Sequence, residues 1–167
     1  NLVLGIDDVK SDPPPNAAWS EAIALLKRLG ALDEGGRLPP QGEAIARLPL
    51  PPRLAHMVIT AAAQGEARLA ARIAMVLTEQ GLGGRDVDLR ARLHRFATER
   101  GQRAEAARGL ADRIARNAGG ELGDVDDERA GPVLALAFPD RVAKSRGAGF
   151  VMANGRAAAV DEASALA

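Results

Sequence analysis

The chain is 167 residues long, 47% hydrophobic and 26% charged, proportions that allow a packed core without staples and exclude wholesale disorder. Its 22 basic and 22 acidic residues cancel, and aromatic residues make up only 2%, which favours closely packed small-residue helices over an aromatic-rich β-sandwich. Cysteine is absent, His56 and His94 stand far apart, and no apolar run reaches membrane-spanning length, so the reading excludes a disulfide framework, a metal centre and a membrane partner and expects a cytoplasmic protein.

The chain opens inside an apolar run, Leu2-Val3-Leu4, without an initiator Met, and ends at Ala167 without a closing element, so it reads as part of something longer. Asp12-Pro13-Pro14-Pro15 is a stiff, extended entry, and Asn16 is a good N-cap for a first helix over 16–29. Trp19, Ile23, Leu26 and Leu29 form its expected buried stripe, with Gly30 as the stop. Residues 31–38 read as a strand, a glycine turn at Gly35-Gly36 and a second strand, a small wing. Pro39-Pro40 starts a short helix near 41–47 with Ile45 facing inward, before Pro49, Pro51 and Pro52 force extended backbone.

From Arg53 to Gln80 the apolar spacing predicts two helices joined near Gln64-Gly65. Gly81–Gly84 is a break; Leu89, Leu93 and Phe96 mark a third helix of this group, and Leu110 with Ile114 a fourth ending near Asn117. Val133–Phe138 is an apolar helix that Pro139 kinks or ends. Gly149–Met152 and Ala157–Val160 flank Asn154-Gly155, a strong hairpin signal, with Phe150 expected in the core. The fold class is therefore mainly α: a degenerate winged helix over 1–52, a helical bundle over 53–146, and a short β-hairpin beginning a partial C-terminal β domain over 147–167.

The zero net charge hides two unequal stretches. Residues 85–116 carry nine Arg against five acids, whereas 117–130 carry five acids against Arg129 alone. Arg92, Arg95, Arg103 and Arg108 are the main candidates for phosphate contact, because a guanidinium on an exposed helix binds phosphate with little sequence preference. Glu99 shares their neighbourhood, so a self-paired surface helix competes with that reading. Arg141, Lys144 and Arg146 form a second basic group leading into the hairpin, where a β-barrel fragment would be placed to line a single-strand path.

A nucleotide-hydrolysing motor needs a glycine-rich loop ending in Gly-Lys-Ser/Thr; Lys10, Lys27 and Lys144 are the only lysines, and none follows glycine. Asp161-Glu162-Ala163-Ser164 looks like a nucleotide-hydrolysis box but lacks such a loop and a buried strand before it, and reads as chance. His56, between Ala55 and Met57, reads as a packed structural histidine, and His94 as part of a solvated face. No catalytic residue and no metal ligand is assigned.

Asp12-Pro13-Pro14-Pro15, Leu29-Gly30-Ala31-Leu32-Asp33, Gly36-Arg37-Leu38, Gly42 and Leu48-Pro49-Leu50-Pro51-Pro52-Arg53-Leu54-Ala55, in that order, resemble the segment that follows the motor of DEAH-box helicases. Arg53-Leu54-Ala55-His56-Met57, Pro139-Asp140-Arg141-Val142-Ala143-Lys144 and Ala153-Asn154-Gly155-Arg156 resemble the HrpB branch of that family. The resemblance implies a winged helix acting as a hinge, a ratchet-like bundle and a β-rich domain set against two RecA-like motor domains. It implies single-stranded nucleic acid, RNA above DNA, as the partner passing through a channel partly walled by the bundle. ATP and magnesium would belong to those motor domains; none is expected to be held by this chain, which alone is expected to be inactive. Pro39-Pro40 stands where the family often has a threonine cap, and Gly81–Gly84 replaces a commonly charged stretch. Two other readings are a winged-helix regulator of duplex DNA, disfavoured by five basic groups against seven acids in residues 1–50, and a protein-docking scaffold using the acidic stretch.

Overall fold

A computed structural model describes residues 16–146 and 149–159. The proline entry, the Asp161-Glu162-Ala163-Ser164 string and Val160 of the expected hairpin lie outside the described residues.

Helix α1 (Asn16–Arg28) ends where predicted, within a residue. Gly30 takes a φ of 67°, and the amides of Gly30 and Ala31 donate to the carbonyls of Lys27 and Leu26, the paired bonds by which a left-handed residue closes a helix. The expected stripe holds only in part. Leu29 is buried, and Leu25 and Leu26 pack against the core, but Trp19 is 59% exposed. Trp19 lies near the helix start, and half-burial begins only at Ile23.

The expected wing is a turn rather than a pair of strands. Asp33 closes it alone: its amide donates to the Arg37 carbonyl at 2.9 Å and its carboxylate accepts from the Arg37 amide at 2.8 Å. Pro39 and Pro40 follow at once and have no amide to extend a ladder. The same prolines open α2 (Pro40–Arg47), which has no side-chain cap and buries Gly42 and Ile45.

The bundle contains α3 (Pro52–Ala62), α4 (Ala67–Thr78), α5 (Leu89–Thr98), α6 (Gln102–Asn117) and α7 (Ala130–Ala137). Helix α4 is central, packed against α3, α5, α6 and α7. Its Ala67, Ala70, Ala71 and Ala74, with Ala104, Ala107, Ala111 and Ala115 of α6, are buried; side chains this small let helix backbones approach closely. Phe96, Met57, Leu69, Ile73 and Ile114 fill the remaining space. One cluster of buried residues runs from Leu29 to Ala137, so the packing is continuous across the expected division at residue 52.

Helix α7 carries Pro132 in its first turn, where a missing amide costs little, and stops before Pro139. Three antiparallel strands follow in the order β1 (Ala143–Arg146), β2 (Gly149–Met152) and β3 (Ala157–Ala158), with Lys144 opposite Val151 and Phe150 opposite Ala158. The Asn154-Gly155 hairpin forms as predicted, its turn closed by the Arg156 amide donating to the Asn154 side chain at 3.0 Å. The added strand β1 pairs across the expected division at residue 146, and Phe150 is half-buried. Among the described residues no helix is long and apolar enough to cross a membrane, and no cluster of His, Asp and Glu could hold a metal ion.

Candidate nucleic-acid interface

The arginines of α5 and α6 divide by what their guanidinium groups touch. Arg92 Nη2 donates to the Val76 carbonyl at 2.6 Å and the Leu82 carbonyl at 3.3 Å, tying α5 to the end of α4 and the loop after it. Arg108 Nη1 donates to the carbonyls of Phe96 at 2.8 Å and Glu99 at 2.9 Å, and its guanidinium lies 5.9 Å from the Phe96 ring centre. It thereby caps the C-terminal carbonyls of α5 with a positive charge. Both side chains are partly buried, so neither guanidinium is free at the surface.

Arg103 and Arg95 remain outside. Arg103 Nη2 donates to the Gln80 carbonyl at 2.6 Å and stands 3.8 Å from Glu79, while its side chain is 64% exposed. Arg95 stands 3.6 Å from Asp86. Glu99 does not pair with either; its carboxylate accepts the Gly83 amide at 3.1 Å. That bond holds the 79–84 loop in a shape only glycine fits, because Gly83 has a φ of 67° and a Cβ there would overlap the Arg92 carbonyl.

Three depressions meet at the C-terminal turn of α4. The largest, about 1010 Å³, is an apolar groove lined by Leu25, Pro52, Leu77, Leu134, Phe138 and Arg141 among others. Leu77 and Thr78 also line a second hollow of about 420 Å³ that contains Arg85 and Arg92. Glu79 joins that hollow to a third of about 300 Å³, bordered by Arg103 and Arg113. Leu77, Thr78 and Glu79 thus border neighbouring hollows, and the row of three, from Arg141 to Arg113, is called the trough below. Among the described residues, no hydrogen bond or ion pair engages the side chains of Arg85 and Arg113, nor those of Lys144 and Arg146 on the exposed strand β1.

At the apolar end, Arg53 Nη1 donates to the Ala137 carbonyl and to Asp140, both at 2.9 Å. Arg53 and Arg141 lie over the Phe138 ring at 5.5 and 4.9 Å from its centre. Desolvation pushes the Asp140 carboxyl up, but the Arg53 hydrogen bond, its own amide and the charges of Arg53 and Arg141 together hold it below the usual carboxylate range. The acidic stretch after α6 lies on the bundle. Glu128 pairs with Arg90 at 3.0 Å, Arg129 with Glu66 at 3.1 Å, and Arg68 reaches both Asp112 at 2.9 Å and the Gly123 carbonyl at 3.3 Å. Burial pushes the Asp127 carboxyl up against the opposing pull of Arg72 and His94.

His56 is half-buried on α3; burial pushes its imidazole down from 6.5, against the raising effect of a backbone hydrogen bond with Leu29. It lies outside the trough lining. Arg47, the basic group offered by α2, pairs with Glu43 at 3.2 Å. Sequence reasoning missed Arg85, Glu79 and Arg113. Arg113 carried a usable signal: no acid stands three or four residues from it on α6, so no helical neighbour can pair with it.

Helices α1 and α2, the alanine-packed bundle and the small antiparallel sheet together resemble helicase-associated segments. A family model described as the helicase associated domain (HA2), winged-helix, matches residues 22–50. The ATP-dependent RNA helicase HrpB of Escherichia coli (strain K12) is 37% identical over 158 residues, 93% of this chain and 18% of that relative. Two solved structures agree: that of the E. coli DExH-box NTPase HrpB, with a TM-score of 0.73 and 35% identity, and that of the Escherichia coli DEAH/RHA helicase HrpB, with 0.75 and 37%. Each match covers 93% of this chain and 18% or 19% of the solved chain. The chain is an HrpB homologue that corresponds to about one fifth of the relative's length, 18%.

Proposed function

We infer that this chain is the nucleic-acid-guiding region of an ATP-dependent helicase, contacting single-stranded nucleic acid, RNA above DNA, while motor domains elsewhere supply ATP and magnesium chemistry. The observation that carries this is the trough meeting at the end of α4, whose charged half presents Arg85, Arg103 and Arg113 with Arg95 close by. Arg85 and Arg113 are exposed and make no side-chain hydrogen bond or ion pair among the described residues, which suits them to phosphates; Arg103 and Arg95 are exposed too but are tied to the Gln80 carbonyl and to Asp86. Arg92 and Arg108 act one step behind, holding the loop and the α5 end that present the others.

Arg141, Lys144 and Arg146 extend the path onto the sheet. The apolar half of the trough, with Leu77 41% and Val142 53% exposed, suits cover by a motor domain rather than water. The duplex-DNA regulator is less well supported, since Arg47 is paired within α2. The scaffold reading is less well supported too, since Glu128 is already paired with Arg90. The order winged helix, bundle and β domain, and a cytoplasmic setting, complete the reading.

Binding of a fluorescent single-stranded RNA, with duplex DNA as comparator, across a salt series tests it. Expected is weak RNA binding whose log affinity falls with log salt by about 0.7 per phosphate contact. No RNA binding at low salt, or preference for duplex DNA, would overturn it. Purified alone, the chain is expected to show no ATP turnover with or without RNA.

A further inference from the structure

The third hollow differs chemically from the rest of the trough because a carboxylate stands among its arginines. Met75, Leu82 and Leu110 form an apolar floor, and Glu79, Arg103 and Arg113 form the rim. At about 300 Å³ the space sits at the lower end of ligand-pocket sizes, which suits a single nucleoside rather than a run of stacked bases. Arg103 and Arg113 are ten residues apart on α6, about 15 Å along its axis, so they can lean on phosphates to either side of one inserted base.

Glu79 lies in what the proposed function makes a polyanion path, where a carboxylate repels each phosphate that comes near. Its side chain is 51% exposed and stands 3.8 Å from Arg103, which the Gln80 carbonyl fixes at 2.6 Å. The carboxylate therefore stands at the rim beside a guanidinium that is itself anchored. A base inserted edge-first turns this liability into a contact, provided the edge offers donors. Carboxylates accept best from two adjacent N–H groups, and guanine is the base whose Watson–Crick edge carries such a pair, N1–H and the 2-amino group. Uracil offers one donor between two acceptors, and the acceptors face the carboxylate unfavourably.

We propose that the hollow between α4 and α6 is a guanine-accepting subsite, with Glu79 receiving the Watson–Crick edge and Arg103 and Arg113 the flanking phosphates. This rests on the proposed function, since it assumes that a single strand follows the trough. It adds a base preference to a path otherwise indifferent to sequence.

The test uses the 167-residue chain and three short strands of about ten nucleotides, a length within single-strand site sizes. One is oligouridine, one carries a single central guanosine, and one carries inosine there, which lacks the 2-amino group. The guanosine strand is expected to bind on the order of tenfold tighter than oligouridine, and inosine to lose most of that gain. Glu79→Gln should abolish the difference while leaving oligouridine affinity equal or slightly higher. A charge-matched control, Glu43→Gln on α2, should keep the preference. Equal binding of all three strands by the unaltered chain would overturn the subsite and leave the guiding role standing. Failure of every strand to bind would overturn both.

Discussion

Helices α1 and α4 are of similar length, 13 and 12 residues, and both are rich in alanine and leucine, yet α4 buries eight residues and α1 none. The difference is one of position. Helix α4 is enclosed by α3, α5, α6 and α7, whereas α1 lies at the margin and reaches the core mainly through Leu25, Leu26 and the adjoining Leu29. A periodic apolar pattern states that a helix has an inner face; it does not state how much protein stands against that face. The centre of this molecule carries its stability, and the margin carries the surface that other molecules can meet.

Mutations at the centre and at the margin should differ accordingly. Phe96→Ala empties a side chain that is 0% exposed and should lower unfolding free energy by about 3–5 kcal/mol, read by urea denaturation. Next in size, Arg108→Met keeps the length of the stem but leaves the Phe96 and Glu99 carbonyls unpaired. A loss of about 1–3 kcal/mol follows if the guanidinium is the cap described, and a loss no larger than at an exposed arginine would contradict it.

Acidification should have a smaller effect through His56. Burial places its folded value below 6.5, so the native state favours the neutral ring. Its contribution is complete above the unfolded value and is lost as pH falls through the depressed folded one. The fall in Tm between neutral and mildly acidic buffer should therefore shrink in His56→Gln. The smallest change is expected at Trp19, 59% exposed: Trp19→Ala should shift stability by less than about 0.5 kcal/mol, despite removing the chain's largest side chain.

Much of this architecture could be read from residue order. The Asn154-Gly155 turn, the Gly30 stop and the alanine-spaced bundle follow from local chemistry, because each depends on what a few neighbouring residues allow. The wing departs from its sequence pattern for a local reason as well: Gly35-Gly36 permits a hairpin, but Asp33 closes the turn by itself and Pro39-Pro40 withholds the amides a longer ladder needs.

The interface was less legible. Arg92 and Arg103 lie on neighbouring helices in a basic stretch, and composition treats them alike. Only tertiary structure places Arg92 against the Val76 carbonyl and leaves most of the Arg103 side chain exposed at 64%. Arg85 and Arg113 border neighbouring hollows that share Glu79 at the end of α4, a relation no sequence window contains.

The most direct measurement is single-stranded RNA affinity of the Arg85→Ala/Arg113→Ala double variant beside the unaltered chain, with Tm recorded for both. The account predicts at least about fivefold weaker binding and a salt dependence shallower by up to two phosphate contacts, at an unchanged Tm. Equal affinity in a variant that melts at the same temperature would contradict the claim that these unheld arginines face the strand.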